Sequence, residues 1–218
     1  RVYTVKPERK SMTKLYPRLP NLLQPRTLKL SDFPEQRTEG WTSEALEYWE
    51  QHHITPPLQR DTVYPTYRGI CFVLYGGLGY QERVFDGDLR WLYPVNVDVS
   101  GMLYVPTIGD EEENEELFVV EGTTDAMAIN QSGHRSAAIL GTMLTSARAK
   151  LLKELIYDPK QVYYIPDNDE PGLAMVDRLV CFGLPVKIRY LPTGIKDICE
   201  LYRQARQMFL RSIACNDM

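Results

Sequence analysis

Along the second half of the chain, short apolar runs alternate with stretches whose apolar positions recur at helical spacing. Leu117 to Val120, Ser136 to Leu140, Gln161 to Ile165 and Pro185 to Leu191 read as strands. Thr123 to Gln131, Ser146 to Ile156, Pro171 to Phe182 and Asp197 to Phe209 read as helices. Strands that alternate with helices predict an α/β fold, a parallel Rossmann-like sheet with flanking helices and right-handed crossovers. Ligands of such sheets bind beyond the carboxyl ends of the strands, which directs attention to the residues just after each one.

The first half has a different rhythm. Residues 42–53, T-S-E-A-L-E-Y-W-E-Q-H-H, offer a Ser or Thr N-cap, acids in the first turn and Leu46 and Trp49 on one face, which predicts a helix. His52 and His53 fall at its end, where adjacent histidines share no face, so capping and packing are expected of them and metal ligation is not. Residues 69–75, 80–85 and 89–93 are β-rich, with Gly76-Gly77 and Asp86-Gly87 as turns. The chain then divides into a basic, proline-rich arm or linker (1–40), a smaller α+β subdomain (41–109) and the α/β domain (110–218).

At 218 residues, 44% apolar and 25% charged, the chain suits one large or two small globular domains and excludes fibrous or disordered classes. Cys71, Cys181, Cys199 and Cys215 form no C-x-x-C pair and have no His at ligand spacing, which argues against structural zinc and for a reduced, cytoplasmic protein. No run of 18 apolar residues occurs and Arg1 to Lys10 has no apolar core, so neither a membrane span nor a signal peptide is expected. A chain that opens at Arg1 reads as a piece of a longer polypeptide.

The net charge of −4 hides an asymmetry: Arg1, Lys6, Arg9, Lys10, Lys14, Arg18, Arg26 and Lys29 face one acid, Glu8, in the first 30 residues. Broken by four prolines, this arm could follow a phosphate backbone or serve as a solvated linker. D-E-E-E-N-E-E, residues 110–116, is expected to be a solvated loop.

The chemistry concentrates at the strand ends. Glu121-Gly122-Thr123-Thr124-Asp125 follows the first strand of the α/β half, Asp167-Asn168-Asp169-Glu170-Pro171-Gly172 the third, and Gly194-Ile195-Lys196-Asp197 the fourth. Gly122 permits a sharp turn, and Thr123 or Thr124 can cap the helix. Glu121, Asp125, Asp167, Asp169 and Asp197 would gather on one edge of one sheet. Helix capping explains one or two such acids; a crowd of them repels itself unless a cation is present. All-oxygen ligands favour a hard ion, Mg²⁺ over Zn²⁺, and acid-held Mg²⁺ is typical of phosphoryl transfer. A purely structural role for these acids stays open at this point.

The array E-G-T-T-D (121–125), L-G-T-M-L-T (140–145), D-N-D-E-P-G (167–172) and G-I-K-D-I-C-E-L (194–201) resembles the Toprim domain of bacterial-type, DnaG-like replicative primases and their phage relatives. Upstream, G-Y-Q-E-R-V-F (79–85), L-R-W-L-Y-P (89–94) and E-A-L-E-Y-W-E-Q-H-H-I (44–54) resemble the subdomain that precedes it in those primases. The resemblance implies DNA-directed synthesis of short RNA primers on single-stranded template, with Mg²⁺ or Mn²⁺ as cofactor. Carried over, Glu121 is catalytic and assists metal binding or proton transfer, Asp167 and Asp169 hold the metal, and Asp125 and Asp197 complete the cluster. Arg83, Arg90 and Lys196 contact the NTP triphosphate or the template, and Lys196 also serves catalysis. As partners the resemblance implies single-stranded DNA and NTPs, a zinc-binding module and a replicative helicase, the last two outside these residues.

The chain departs from the pattern at Cys199, where a second acid is usual, at Pro171 for Ala, and at Trp91 for Tyr. A Toprim nuclease would need the same acids but not Arg83 and Arg90. A topoisomerase would need a nucleophilic Tyr on a large clamp, for which the chain is short. A non-catalytic single-stranded DNA binding or assembly module has no use for so much mutual repulsion.

Overall fold

A computed structural model describes residues 28–57, 62–76, 79–106, 116–155 and 162–205. The expectations for the arm before Leu28, for the acidic run 110–115 and for Cys215 lie outside these residues.

Two four-stranded sheets carry the fold. The first is antiparallel, in the order β1 (Val63–Pro65), β2 (Gly69–Val73), β3 (Tyr80–Val84), β4 (Trp91–Leu92). Strand β1 escapes a sequence reading because three residues ending in proline give too little alternation; Pro65 is tolerated because β1 is an edge. The third predicted strand shrinks to Trp91–Leu92. Helix α1 (Ser43–Gln51) lies against this sheet and starts where the sequence predicts, with Thr42 Oγ1 accepting from the Ala45 N–H at 3.2 Å. It ends on His53 in the left-handed region, φ 56°, with the Ile54 N–H bonded to the Trp49 carbonyl and the His53 N–H to that of Glu50, both at 2.9 Å. Both histidines thus finish the helix, His52 Nδ1–H donating to the Tyr48 carbonyl at 2.8 Å.

Residues 28–40, read from sequence as arm or linker, also pack on this sheet. Leu28 is buried, Leu30–Asp32 form a 3-10 turn, Gln36 bridges Thr66, and the Phe33 and Tyr80 rings lie 5.4 Å apart.

The second sheet is parallel, in the order β6-β5-β7-β8: β6 (Arg135–Ala138), β5 (Leu117–Val120), β7 (Val162–Tyr164), β8 (Lys187–Ile188). All four residues of β5 are buried because the strand is covered on both faces. Leu117 and Val119 join a core with Leu152 of α3 (Ser146–Leu155) and with Met175 and Leu179 of α4 (Glu170–Cys181). Phe118 and Val120 face the other way, into a core with α2 (Thr123–Gln131), α1 and Phe72 of β2. Residues 198–205 form a last helix. Strand β8 is shorter than the predicted Pro185 to Leu191, since an edge strand pairs on one side only and ladder bonding is confined to Lys187 and Ile188.

Leu103 and Tyr104 stitch the two sheets together. Leu103 pairs with Tyr75 at the end of the first sheet, and Tyr104 with Ala138 of β6. Both are fully buried, as is Trp49, whose ring lies 6.0 Å from that of Phe72. Truncating such a residue costs about 3–5 kcal/mol, so the antiparallel unit has a fixed seat on the parallel one.

Candidate active site

In the parallel sheet, β5 feeds a crossover to one neighbour, β6, and β7 feeds one in the opposite direction, to β8. The carboxyl ends of β5 and β7 flank this switch point, where an open α/β sheet forms its crevice. Glu121 follows β5 directly and Asp167 follows β7.

Glu121 is buried, and Tyr164, from the neighbouring strand, donates its hydroxyl to Glu121 Oε1 at 3.2 Å. Burial raises the Glu121 carboxyl above the usual range, opposed by bonds from Tyr164 and the Asp167 backbone and by the Arg178 charge, and reinforced by Asp169. Gly172 makes this closeness possible. A Cβ on it would stand 2.4 Å from the Asp167 carbonyl oxygen and 2.7 Å from Glu121 Oε1, so α4 approaches the site only because this position has no side chain.

Asp125 lies in the first turn of α2, which begins without a side-chain cap because Gly122 occupies the N-cap; the threonines expected to cap it are already helical. Its Oδ1 accepts from the Cys199 backbone N–H at 3.1 Å. Burial, aided by the charge of Asp197, pushes the Asp125 carboxyl up to about 6. Asp167 rises further, to about 7, through burial and then through the charges of Asp125, Glu121, Asp197 and Asp169. The charges of the other four acids thus all act on Asp167. Two of the acids also cap helices: Asp169 Oδ1 accepts from the Gly172 N–H at 2.9 Å and Asp197 Oδ1 from that of Glu200 at 2.8 Å.

The strand-end loops are tied to each other. The Asn168 N–H donates to the Lys196 carbonyl at 2.7 Å and its side-chain amide to that of Ile195 at 2.8 Å, joining D-N-D to G-I-K-D. The Gly141 N–H donates to the Glu121 carbonyl at 3.1 Å, bringing L-G-T-M-L-T to the same edge. Leu140 there adopts φ 58°, a left-handed conformation that costs a branched side chain roughly 1–2 kcal/mol and that gathers at functional sites. Arg178 of α4 donates to the Thr142 carbonyl.

The basic residues are less concentrated. Lys196 is exposed and engaged through its backbone. Arg83 is ringed by Tyr48, Phe85 and Trp91, and one guanidinium nitrogen donates to the Arg90 carbonyl at 3.2 Å; Arg90 itself is exposed. Among the described residues no three His, Cys, Asp or Glu side chains converge as a formed metal cage. The donors that crowd the edge are all carboxylate oxygens, and their mutual repulsion suits a hard divalent cation. Tyr48, Tyr164 and Arg178 are not singled out by the sequence, and Gly172 stands there only as the last residue of a motif. A buried tyrosine beside a strand-end acid carries no local pattern; the glycine did, since it stands in the D-N-D-E-P-G motif.

Residues 118–202 match the Toprim-like family. Among solved structures, a DnaG catalytic core is 21% identical at TM-score 0.55, covering 74% of this chain and 69% of its own. A DnaG primase catalytic domain bound to single-stranded DNA is 20% identical at TM-score 0.54, with 78% and 70% covered. The zinc-binding and RNA polymerase domains of the Aquifex aeolicus primase are 21% identical at TM-score 0.50, with 79% and 49% covered. No curated protein matches the sequence. The fold is that of a DnaG catalytic core, with a Toprim-like domain as its second half.

Proposed function

From a Toprim-like domain on the DnaG catalytic-core fold, we propose that the chain synthesises short RNA primers on single-stranded DNA by metal-dependent nucleotidyl transfer. The observation that supports this best is the Asp167 carboxyl at the switch point of the sheet, raised by burial and then by the charges of four other acids. Asp125, Asp167, Asp169 and Asp197, with Glu121, would hold one or two Mg²⁺ or Mn²⁺ ions. A bound cation supplies charge neutralisation and activates the attacking 3′-hydroxyl.

The chain's own residues do the rest. Glu121, with proton affinity raised by burial and Oε1 steadied by Tyr164, is suited to take the proton of the attacking hydroxyl. Lys196, exposed beside Asp197, offers a mobile point charge to a triphosphate, and Arg83 and Arg90 offer guanidinium forks to triphosphate or template. Asn168, bonded across to residues 195 and 196, keeps lysine and acids in one register. A zinc-binding module and a replicative helicase would act from outside these residues.

The test is RNA synthesis from labelled NTPs on single-stranded DNA with Mg²⁺ or Mn²⁺, comparing the chain with Asp167→Ala and Glu121→Ala. Template-dependent product, reduced about a hundredfold or more in both variants, is expected. Metal-dependent DNA cleavage lost in the same variants, with no product, would overturn the reading in favour of a Toprim nuclease.

A further inference from the structure

The last helix, residues 198–205, opens on a carboxylate with both oxygens in use. Glu200 Oε2 accepts from the Lys196 backbone N–H at 2.8 Å and Glu200 Oε1 from the Arg203 guanidinium at 3.3 Å, while the Glu200 N–H donates to Asp197 Oδ1 at 2.8 Å. Glu200 is therefore not a further metal-holding acid beside Asp197, and Cys199 is a thiol. What this turn adds to the acidic edge is a cation. Cys199, Glu200 and Arg203, at i, i+1 and i+4 of the helix, line a cavity of about 310 Å³ together with Asp197 and with Gln51 and His52 of α1. That volume lies at the small end of ligand sites. A surface ion pair at i, i+3 contributes little by itself. Here the carboxylate is also fixed by a backbone N–H, and the guanidinium it holds lines the same cavity as Asp197. A guanidinium has five N–H groups, and the bond to Glu200 takes one of them.

We propose that Arg203 is a further substrate-binding residue, held by Glu200 in the cavity beside Asp197, where it meets the polyphosphate of a nucleoside triphosphate whose divalent cation Asp197 helps to hold. The inference rests on the metal-dependent reading above. An arginine and a metal-holding aspartate in one cavity suit a ligand that carries both signs of charge. The guanidinium repels a bare metal ion and the aspartate a bare polyphosphate, whereas their complex satisfies both. The planar fork of Arg203 can give two parallel bonds to phosphate oxygens. Glu200 touches no substrate and is the positioning residue: it fixes Arg203 on one side and the backbone of Lys196 on the other.

The test is calorimetric titration of the chain with Mn²⁺ alone and then, at saturating Mn²⁺, with ATP and with tripolyphosphate. It compares wild type with Arg203→Ala, Arg203→Lys, Glu200→Ala and Glu200→Gln, with the unfolding midpoint of each in chelator. Arg203→Ala should keep the midpoint and the Mn²⁺ affinity close to wild type while ATP and tripolyphosphate bind about tenfold or more weakly. Arg203→Lys, a charge without the fork, should recover part of that loss. Glu200→Ala retains the backbone N–H that caps Asp197, so it should spare Mn²⁺ and weaken both polyphosphates. Glu200→Gln keeps an acceptor oxygen and should recover part. In primer synthesis Arg203→Ala should raise the NTP KM more than it lowers kcat.

Unchanged polyphosphate affinity in Arg203→Ala would overturn the proposal, and so would an equal loss of Mn²⁺ affinity, which would make Arg203 a support of the acidic edge. A loss for ATP alone would place Arg203 against base or ribose and overturn the polyphosphate assignment. Wild-type behaviour of Glu200→Ala would overturn the positioning role of Glu200. A wild-type chain that takes up Mn²⁺ but neither polyphosphate would overturn the proposal alone; one that takes up no Mn²⁺ would overturn the metal-dependent reading with it. The expected binding pattern without any primer would sink the primase reading and leave the Arg203 assignment standing.

Discussion

The Cys199 backbone N–H donates to Asp125 Oδ1 at 3.1 Å, joining the first turns of two helices whose residues lie 74 apart in sequence. The Cys199 thiol is buried beside that carboxylate, and its pKa is pushed up by burial and by the charge of Asp125. It is therefore an inert thiol at the position where the resembled motif often has a second acid. Cys199→Asp would bury one more unpaired carboxylate next to Asp125 and Asp197, at a cost of about 2–4 kcal/mol in chelator. Calorimetric unfolding should show a lower midpoint that Mn²⁺ partly restores; an unchanged midpoint in chelator would show that the edge tolerates another charge without a cation.

The acid cluster also sets a pH dependence. Asp125 and Asp167 titrate near 6 and near 7 in the fold against 3.8 for an ordinary aspartate. A raised carboxyl pKa means the folded state binds more protons than the unfolded chain between these values. The stabilisation is fully present below about pH 4 and is lost as pH rises through 6 to 7. The cation-free chain should accordingly melt lower at pH 8 than at pH 5. Asp167→Asn should flatten that slope, and Mg²⁺, which binds the deprotonated acids, should oppose it. Melting curves that rise from pH 5 to pH 8 in chelator would contradict the crowding of these carboxylates.

Much of the parallel half was legible because its strands are short apolar runs separated by capped helices, and because the acids stand at strand ends where topology itself gathers them. Asp169 as an N-cap and Pro171 in the first turn of α4 follow from local rules. What stayed hidden depends on tertiary approach. Tyr164 meets Glu121 across two strands, Tyr48 of α1 meets Arg83 of β3, and Cys199 meets Asp125 over 74 residues. None of these has a sequence period. Strand β1 and the packing of residues 28–40 were hidden for a related reason, since Gln36 and Thr66 stabilise each other only once both are in place.

Gly172 separates a steric requirement from a chemical one. A methyl group there would overlap the Asp167 backbone oxygen at 2.4 Å and its nitrogen at 2.9 Å, and neither can swing aside as a side chain end could. Gly172→Ala should therefore push α4 away from Glu121 and Asp167, destabilising by about 1–3 kcal/mol. Primer synthesis should fall much further than that loss explains at a temperature where the variant is still folded. Activity proportional to the folded fraction would mean that the approach of α4 matters for packing and not for the site.

Arg148 shows how the loop beside Glu121 is held. This buried cation donates from Nε to the Met102 carbonyl at 2.9 Å, and from its two terminal nitrogens to those of Met143 at 2.9 Å and Val99 at 3.2 Å. Three carbonyls and no carboxylate satisfy it, so it knits the linker between the sheets to the 140–145 loop, whose Gly141 N–H rests on the Glu121 carbonyl. Thr145 adds a bond from its hydroxyl to the Ser100 carbonyl at 2.7 Å. Arg148→Met fills the same space but leaves those carbonyls without a donor, which should cost about 3 kcal/mol and lower the melting midpoint by roughly 6–12 °C. Hydrogen exchange is the decisive readout, because the amides of residues 141–145 and 99–103 should lose protection together. Loss confined to one of the two segments would mean that Arg148 supports a loop and does not join the linker to the site.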